Sequence, residues 1–569
     1  MRKHSFVISA IILTLGGFFA KAIGAIYKIP LTNILGSSGM GLYYLVFPIY
    51  SLIITICSSG MSVALSTEIS KCRRVRNSYN EHKLLRVALV ITFIISLIFA
   101  IIVVVFSRSI ANLQGNINAY VGYISISPAI IISSIIATLR GYFQGIENMV
   151  PTTVSLIIEQ IVKLSIGLIL AHKLCVYGVG YAVLGAIIGV TFSEVVAFVI
   201  IVINYLSYKG QLHYNYKNLF FKSKRKKSNK CFIKSKQSLK FNKNYNGKKL
   251  YKSRKESVRY TTKVAIKKLF KSSIFNTMSS IVIPIATMLD SFMIINIMIN
   301  SGYSSSISTS LYGLLGGVVQ SLTSLPIIVI SGIATSLVPS LSGLVAQNEG
   351  NEIRNKTLFF IKTTWVLSIV MFVIMFVYAE DYIHFLYGDG LSNSVIDEYY
   401  YLVKMMKINS ISIIYYAFMQ TFISIYQSIG KSFIPFIVLS IGLIFRTLFV
   451  YILTSKININ IFGGIIANIL FLIISVILMA IWLKKYMNFE VDFFRNLLSP
   501  MIIGIFVFLF MTFSNWSLKS EINYFASMII TALIGLLIYL LAIYFGKTFT
   551  NKEKKYLNFK KKSFIKGKK

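Results

Sequence analysis

Apolar runs of roughly 20 residues, the length a helix needs to cross a bilayer, recur along nearly the whole of this 569-residue chain, and no other feature limits its fold so tightly. Coiled into a helix, each run is long enough to cross roughly 30 Å of hydrocarbon. A water-soluble fold has no interior large enough to hide so many. In lipid, every backbone N–H and C=O must be satisfied within the segment, so the crossings are read as helices. Composition agrees: 56% of residues are hydrophobic and only 13% charged, with a mean hydropathy of +0.72. The expected fold class is therefore an all-α membrane protein of about fourteen transmembrane helices. The spans read are 6–29, 40–66, 84–107, 119–139, 151–172, 177–206, 271–299, 309–345, 357–378, 399–428, 432–455, 461–483, 497–514 and 522–546. Segment 309–345 is too long for one straight crossing and is expected to bend near Pro326 or to extend past the bilayer.

The formal net charge of +40 resembles that of a nucleic-acid binder only until it is located. Residues 207–270 hold 21 Lys/Arg against the single acid Glu256, and residues 547–569 hold 10 against Glu553. Charge concentrated outside the spans argues against a nucleic-acid partner and sets the topology. The loops carrying Lys71, Arg73, Arg74, Arg76, Arg354, Lys356, Lys431, Lys484, Lys485 and Arg495 then face the cytoplasm with both termini. The opposite loop, 379–398, is acidic, with Glu380, Asp381, Asp389, Asp397 and Glu398. The basic segments suit anionic inner-leaflet lipids or an acidic partner such as a wall-synthesis enzyme; plain cytoplasmic retention is the simpler reading. Arg2, Lys3 and His4 with Ala20-Lys21-Ala22 resemble a signal peptide and its cleavage site. The apolar run continues through Ile23 to Ile29, so a retained first helix is expected.

The chain also repeats itself. Tyr142-Phe143-Gln144-Gly145-Ile146 precedes Pro151, with Gly180 in the next helix; Ile425-Tyr426-Gln427-Ser428-Ile429 precedes Pro435, with Gly463 in the next. Gln144 is separated from Gln427 by the same interval that separates Gly180 from Gly463. Ser59-Gly60-Met61 and Ser331-Gly332-Ile333 echo each other at another offset. The expected organisation is a six-helix lobe (1–206), a basic cytoplasmic linker (207–270), a second six-helix lobe (271–483), two extra helices (484–546) and a basic tail (547–569). Parallel repeats of this kind place a substrate path between the lobes near the midplane.

Catalytic and metal-binding chemistry finds no support. Cys57, Cys72, Cys175 and Cys231 show no paired spacing, and the five histidines form no cluster. Gly430-Lys431-Ser432 ends like a phosphate-binding loop, but Ile425 stands where its first glycine belongs. What remains are charges inside apolar helices, which are expensive in hydrocarbon and so face a partner or a wet cavity. Lys21 and Lys28 on the first helix, Glu159 and Lys163 on the fifth, and Arg446 on the eleventh are the substrate-cavity candidates. Lys28 lies close enough to a helix end to snorkel, and Glu159 and Lys163, at i and i+4, suit mutual neutralisation. Arg446 has no acid at i±4 and suits an anionic ligand, because guanidinium binds phosphate bidentately. Asp290, six residues past Pro284, and Glu194 are candidates for coupling to a cation or proton; Asp290 also suits a counter-charge to Lys21. Arg140, Gln144 and Glu147, at helix ends on the inner face, are candidates for a gate or for ordinary interfacial groups. The pair Gly185 and Gly189 is read as close helix packing.

The stretch RGYFQGIENMVPTTVSLIIEQIVK, from Arg140 to Lys163, resembles the stage V sporulation protein B branch of the polysaccharide-exporter (MOP) superfamily. LPIIVISGIATSLVPSLS, from Leu325 to Ser342, is similar to the eighth-helix pattern of the related MurJ-type lipid II flippases. Lys21 followed by Gly24 is similar to the place where those flippases carry a cavity arginine. The resemblance implies a V-shaped pair of lobes, alternating access, a lipid-tail groove lined by the last two helices, and an undecaprenyl-pyrophosphate-linked sugar or muropeptide as cargo. The chain departs from those flippases in carrying lysine at 21, Tyr27 where a second arginine would align, and no charge through much of the eighth helix.

Together these features lead to an expected flippase for a lipid-linked peptidoglycan precursor, dedicated to the spore cortex, with no bound cofactor and with coupling to a monovalent cation, a proton or the membrane potential left open. A teichoic or capsular repeat-unit exporter, a multidrug/cation antiporter and a membrane scaffold for wall-synthesis enzymes are the alternatives.

Overall fold

The computed structural model describes residues 3–74, 77–228, 259–345, 350–387, 398–487, 498–519, 523–546, 548–549 and 553. Residues 229–258 of the basic linker and most of the tail lie outside these, as do Arg76, Cys231, Asp389, Asp397 and Arg495. All regular structure among the described residues is helical: α1 (Lys3–Ile54), α2 (Gly60–Arg74), α3 (Ser78–Val105), α4 (Ser107–Leu113), α5 (Tyr120–Gly145), α6 (Val150–Cys175), α7 (Val179–Ser228), α8 (Thr262–Asn300), α9 (Ser305–Leu314), α10 (Gln320–Val345), α11 (Gly350–Val377), α12 (Ala379–Tyr387), α13 (Glu398–Ser428), α14 (Phe433–Thr454), α15 (Phe462–Met487), α16 (Ser499–Leu518) and α17 (Tyr524–Phe545).

Thirteen helical segments are long and apolar enough to cross a bilayer among the described residues. The first, Leu15–Arg73, is 59 residues long, roughly 88 Å of helix at 1.5 Å per residue, far more than one crossing takes. Gly36 breaks it, with φ 67 and ψ −179, a conformation essentially reserved for glycine. A crossing on each side of that break brings the total to the fourteen read from the sequence. Helix α1 also runs unbroken through Ala20-Lys21-Ala22.

Helices α1–α7 and α8–α15 are the two halves read from the sequence as lobes, and α16 and α17 pack on each other and on α11. Long Ile, Leu and Phe side chains such as Ile169, Leu448, Phe506 and Leu537 point outward, as a lipid-facing surface requires. The interior depends on glycine. A Cβ at Gly189 would collide with the Gly167 Cα, and one at Gly185 would come 2.7 Å from the Leu170 carbonyl oxygen. The spacing read as helix packing therefore seats α7 against α6.

Two features go beyond the expectations. A π-helical turn at Leu315–Val319 interrupts the α-helical hydrogen bonding of the eighth crossing, ahead of Pro326, which lies inside α10. The acidic segment 379–398 is more than a solvated loop, because α12 occupies its first half with Asp381 buried. Asp381 Oδ1 meets Lys519 Nζ at 2.5 Å, and its Oδ2 accepts from Asn515 Nδ2 at 2.8 Å. Tyr378 donates to Thr531 Oγ1 at 2.7 Å and Tyr539 to the Val366 carbonyl at 2.9 Å. These bonds fasten α16 and α17 to α11 and α12. Near the middle of α11, buried Lys362 pairs with Glu553 at 3.4 Å.

Candidate functional site: a cavity between the lobes

The lobes meet differently at their two ends. At the end bearing the acidic segment, α1 and α9 touch backbone to backbone: a Cβ at Gly41 would collide with the Thr309 carbonyl oxygen, and one at Gly313 with the Gly41 nitrogen. Polar bonds lace that contact. Ser37 donates to Glu398 Oε1 at 2.5 Å, Asn116 to Thr309 Oγ1 at 3.1 Å, Asn296 to the Leu113 carbonyl at 2.6 Å, and Ser305 to the Gly115 carbonyl at 2.7 Å. Buried Gln114 donates to Ser291 Oγ at 2.9 Å. At the end bearing the basic linker, Gly60 lies against Ser273 and Thr277 of α8, and the Tyr260 N–H donates to Asn80 Oδ1 at 2.9 Å.

Between these contacts lies a cavity of about 180 Å³. Tyr44 and Phe47 of α1 give it an aromatic wall, and Asp290, Gln320, Asn409 and Arg446 of the second lobe give it a polar one. The polar wall is organised by an ion pair: Arg446 Nη2 bonds Asp290 Oδ2. Arg446 is 5% exposed, its guanidinium lies 5.5 Å from the Phe471 ring centre, and its buried Nε has no hydrogen-bond partner. Of the roles expected of Asp290, the counter-charge goes to Arg446 rather than to Lys21, because an acid from a distant helix supplies what the helix of Arg446 lacks.

The first lobe places its cations behind the aromatic wall. Lys163 Nζ stands 5.4 Å from the Tyr27 ring centre and 5.3 Å from that of Phe47, and Lys28 Nζ stands 5.0 Å from the Tyr44 ring. Lys28 is half-buried there. Tyr27, where the resembling flippases would carry an arginine, instead presents its face to a lysine from the neighbouring helix. The expected ion pair between Lys163 and Glu159 is not formed. Glu159 Oε2 pairs with Arg140 Nη2 at 2.8 Å, Arg140 Nε also donates to Ser155 at 2.9 Å, and Gln160 donates to Glu159 Oε1 at 2.9 Å. The hairpin of α5 and α6 brings that guanidinium closer to the carboxylate than the i+4 lysine comes.

The remaining candidates are scattered. Lys21 is exposed on α1 and has no ion-pair partner among the described residues. Glu194 is 6% exposed; Tyr50 donates to its Oε1 at 3.2 Å, and its Oε2 is buried without a partner. Arg140 is tied to Glu159, Gln144 is half-buried near the end of α5, and Glu147 is exposed in the following turn with φ 62. No cluster of His, Cys, Asp and Glu suited to a metal occurs among the described residues.

One signal in the sequence was finer than the reading made of it. Lys163 and Arg446 are themselves separated by the same interval as the two glutamines and the two glycines. The cations of α6 and α14 therefore occupy equivalent positions of the repeat. Asp381, Lys519 and Asn515 gave no signal, since nothing local links them.

Residues 6–236 match the family described as polysaccharide biosynthesis protein. The chain is 22% identical to stage V sporulation protein B of Bacillus subtilis over 510 residues, 90% of this chain and 89% of that one. It is 29% identical to the lipid II flippase MurJ of the same organism over 205 residues, 33% of this chain and 38% of that protein. Among solved structures, a lipid II flippase MurJ in an inward closed conformation superposes with a TM-score of 0.65 at 18% identity, covering 94% of this chain and 99% of that one. The resemblance read from the sequence is borne out: the chain is similar to stage V sporulation protein B along most of its length and shares the all-helical, multi-pass membrane fold of MurJ.

Proposed function

We propose that this protein is a flippase that carries an undecaprenyl-pyrophosphate-linked peptidoglycan precursor, or a closely related lipid-linked oligosaccharide, across the cytoplasmic membrane by alternating access. The observation that carries the reading is the cavity between the lobes, with Arg446 in one wall and Lys28 and Lys163 behind the other. Cations at that depth attract a diphosphate and repel cationic drugs. The similarity to stage V sporulation protein B supports a place in spore-cortex synthesis. Lys21 is assigned to the path by which the head group enters, and both termini to the cytoplasm by the loop charges. The two lobes rock about the cavity while α16 and α17 accompany the lipid tail. The basic linker and tail rest on anionic inner-leaflet lipids.

Rescue of a bacterium depleted of its own lipid II flippase tests this, scored by lipid II accessible at the outer surface. The wild-type chain is expected to rescue, and Lys163→Ala and Arg446→Ala to fail while still reaching the membrane. Rescue by both variants would remove the cavity assignment. Failure of the wild type, with the protein confirmed in the membrane, would redirect the cargo to a teichoic or capsular repeat unit. Protection against cationic dyes that needs Asp290 would instead indicate an antiporter.

A further inference from the structure

Arg446 is the most completely buried cation at the cavity, and it is capped. Its Nη2 is taken by Asp290, while its Nε points into the interior with no acceptor. A guanidinium offers five N–H donors in a planar fork, so one carboxylate oxygen leaves part of the fork unused. The repeat-equivalent Lys163 has no such cap: its ammonium rests on Tyr27 and Phe47, with no ion-pair partner among the described residues. Asp290 is also carried on a helix able to give way. Pro284, six residues earlier in α8, removes one backbone hydrogen bond from the helix interior. Thr287, between the two, turns its hydroxyl back to the Pro284 carbonyl at 3.0 Å and lines the same cavity.

We propose that Asp290 is a built-in occupant of an anion site centred on Arg446, and that a phosphate group of the cargo takes its place. The inference rests on the functional reading above and adds the order of events at the site. In the ion pair the carboxylate neutralises the guanidinium, which holds a buried cation at less expense than leaving it bare. An arriving diphosphate offers two or more oxygens to the fork against the single one that Asp290 engages. Bending of α8 at Pro284 withdraws the carboxylate. When the cargo leaves, Asp290 returns and competes against rebinding. The same competitor that weakens binding thereby speeds release, and the second lobe has it where the first does not.

The test is binding of inorganic pyrophosphate and of a polyprenyl diphosphate to the purified full-length chain in nanodiscs. Asp290→Asn keeps a hydrogen-bonding group beside Arg446 and removes the competing charge. It is expected to bind the polyprenyl diphosphate about tenfold tighter than wild type, the effect of about 1.4 kcal/mol. Arg446→Gln is expected to lose binding, and the double variant to lose the gain. Asp290→Ser gives the same reading if the Asn variant is not recovered folded. Equal or weaker binding by the neutral variants, or a gain that survives Arg446→Gln, overturns the exchange while leaving the flippase reading in place. Binding of pyrophosphate as tight as that of the lipid form identifies the site with the free anion and removes the cargo from the proposal. Binding of neither probe to wild type or variant sinks the flippase reading and the exchange together.

Discussion

Lys163 on α6 and Arg446 on α14 stand at matching positions of the two halves, and the two lobes treat them in opposite ways. Two aromatic rings hold the lysine; a carboxylate from α8 holds the arginine. The acid that might have served Lys163 is committed to Arg140 instead. The first lobe thus keeps a cation with no ion pair among the described residues on an aromatic wall, and the second keeps a neutral pair in the wall itself. The proposed roles divide accordingly: attraction at Lys163 and exchange at Arg446.

Breaking each cation in turn separates the two arrangements. Arg446→Met strands Asp290 in the interior and is expected to destabilise the protein by about 3–5 kcal/mol, whereas Lys163→Met strands no acid and removes only ring contacts worth about 0.5–2 kcal/mol. Thermal unfolding in detergent measures both; equal losses would erase the difference between the lobes. Adding Asp290→Asn to Arg446→Met is expected to restore most of the larger loss, because the unpaired charge has then gone. Next in size is Arg140→Met. It leaves Glu159 with Gln160 alone and is expected to cost about 1–3 kcal/mol, and a loss no greater than that of an exposed lysine would show that the pair is incidental.

The smallest effect sharpens the contrast from outside the cavity. Burial acts to lower the affinity of Lys519 for its proton, but its bonds to Asp381 and Tyr524 outweigh this and hold its pKa above the ordinary lysine value. The stabilisation from a raised group is complete below its unfolded value and is lost as pH rises through the folded one. The fastening of α16 and α17 is therefore expected to be indifferent to pH through the neutral range and to weaken only in alkali beyond about 10.4. Lys519→Met is expected to cost up to about 1 kcal/mol and to abolish that alkaline step in unfolding followed against pH. A step that persists in the variant would assign it elsewhere.

How much of this was legible depends on whether a signal is local. Crossing number, repeat and glycine packing follow from apolar length, spacing and the absence of a side chain, all of which reside in short stretches. Ion pairs do not. The i,i+4 rule sees only one helix face, so it offered Lys163 to Glu159 and missed Arg140, which the α5–α6 hairpin brings round. Asp290 could have been assigned by elimination: it is the lone acid deep in any span of the second lobe, and Arg446 shares that apolar setting. The buried Asp381 was beyond reach, because an acid in a loop between helices reads as solvated until α12 folds it under α16.

Transport in proteoliposomes tests the central claim most directly, using a polyprenyl-diphosphate oligosaccharide and following its appearance in the opposite leaflet. The wild-type chain is predicted to move it, and Lys163→Gln and Arg446→Gln each to slow it about tenfold or more, a barrier increase of about 1.36 kcal/mol. Wild-type rates in both variants, or no movement by a correctly inserted wild-type chain, would contradict a cavity built to carry that head group.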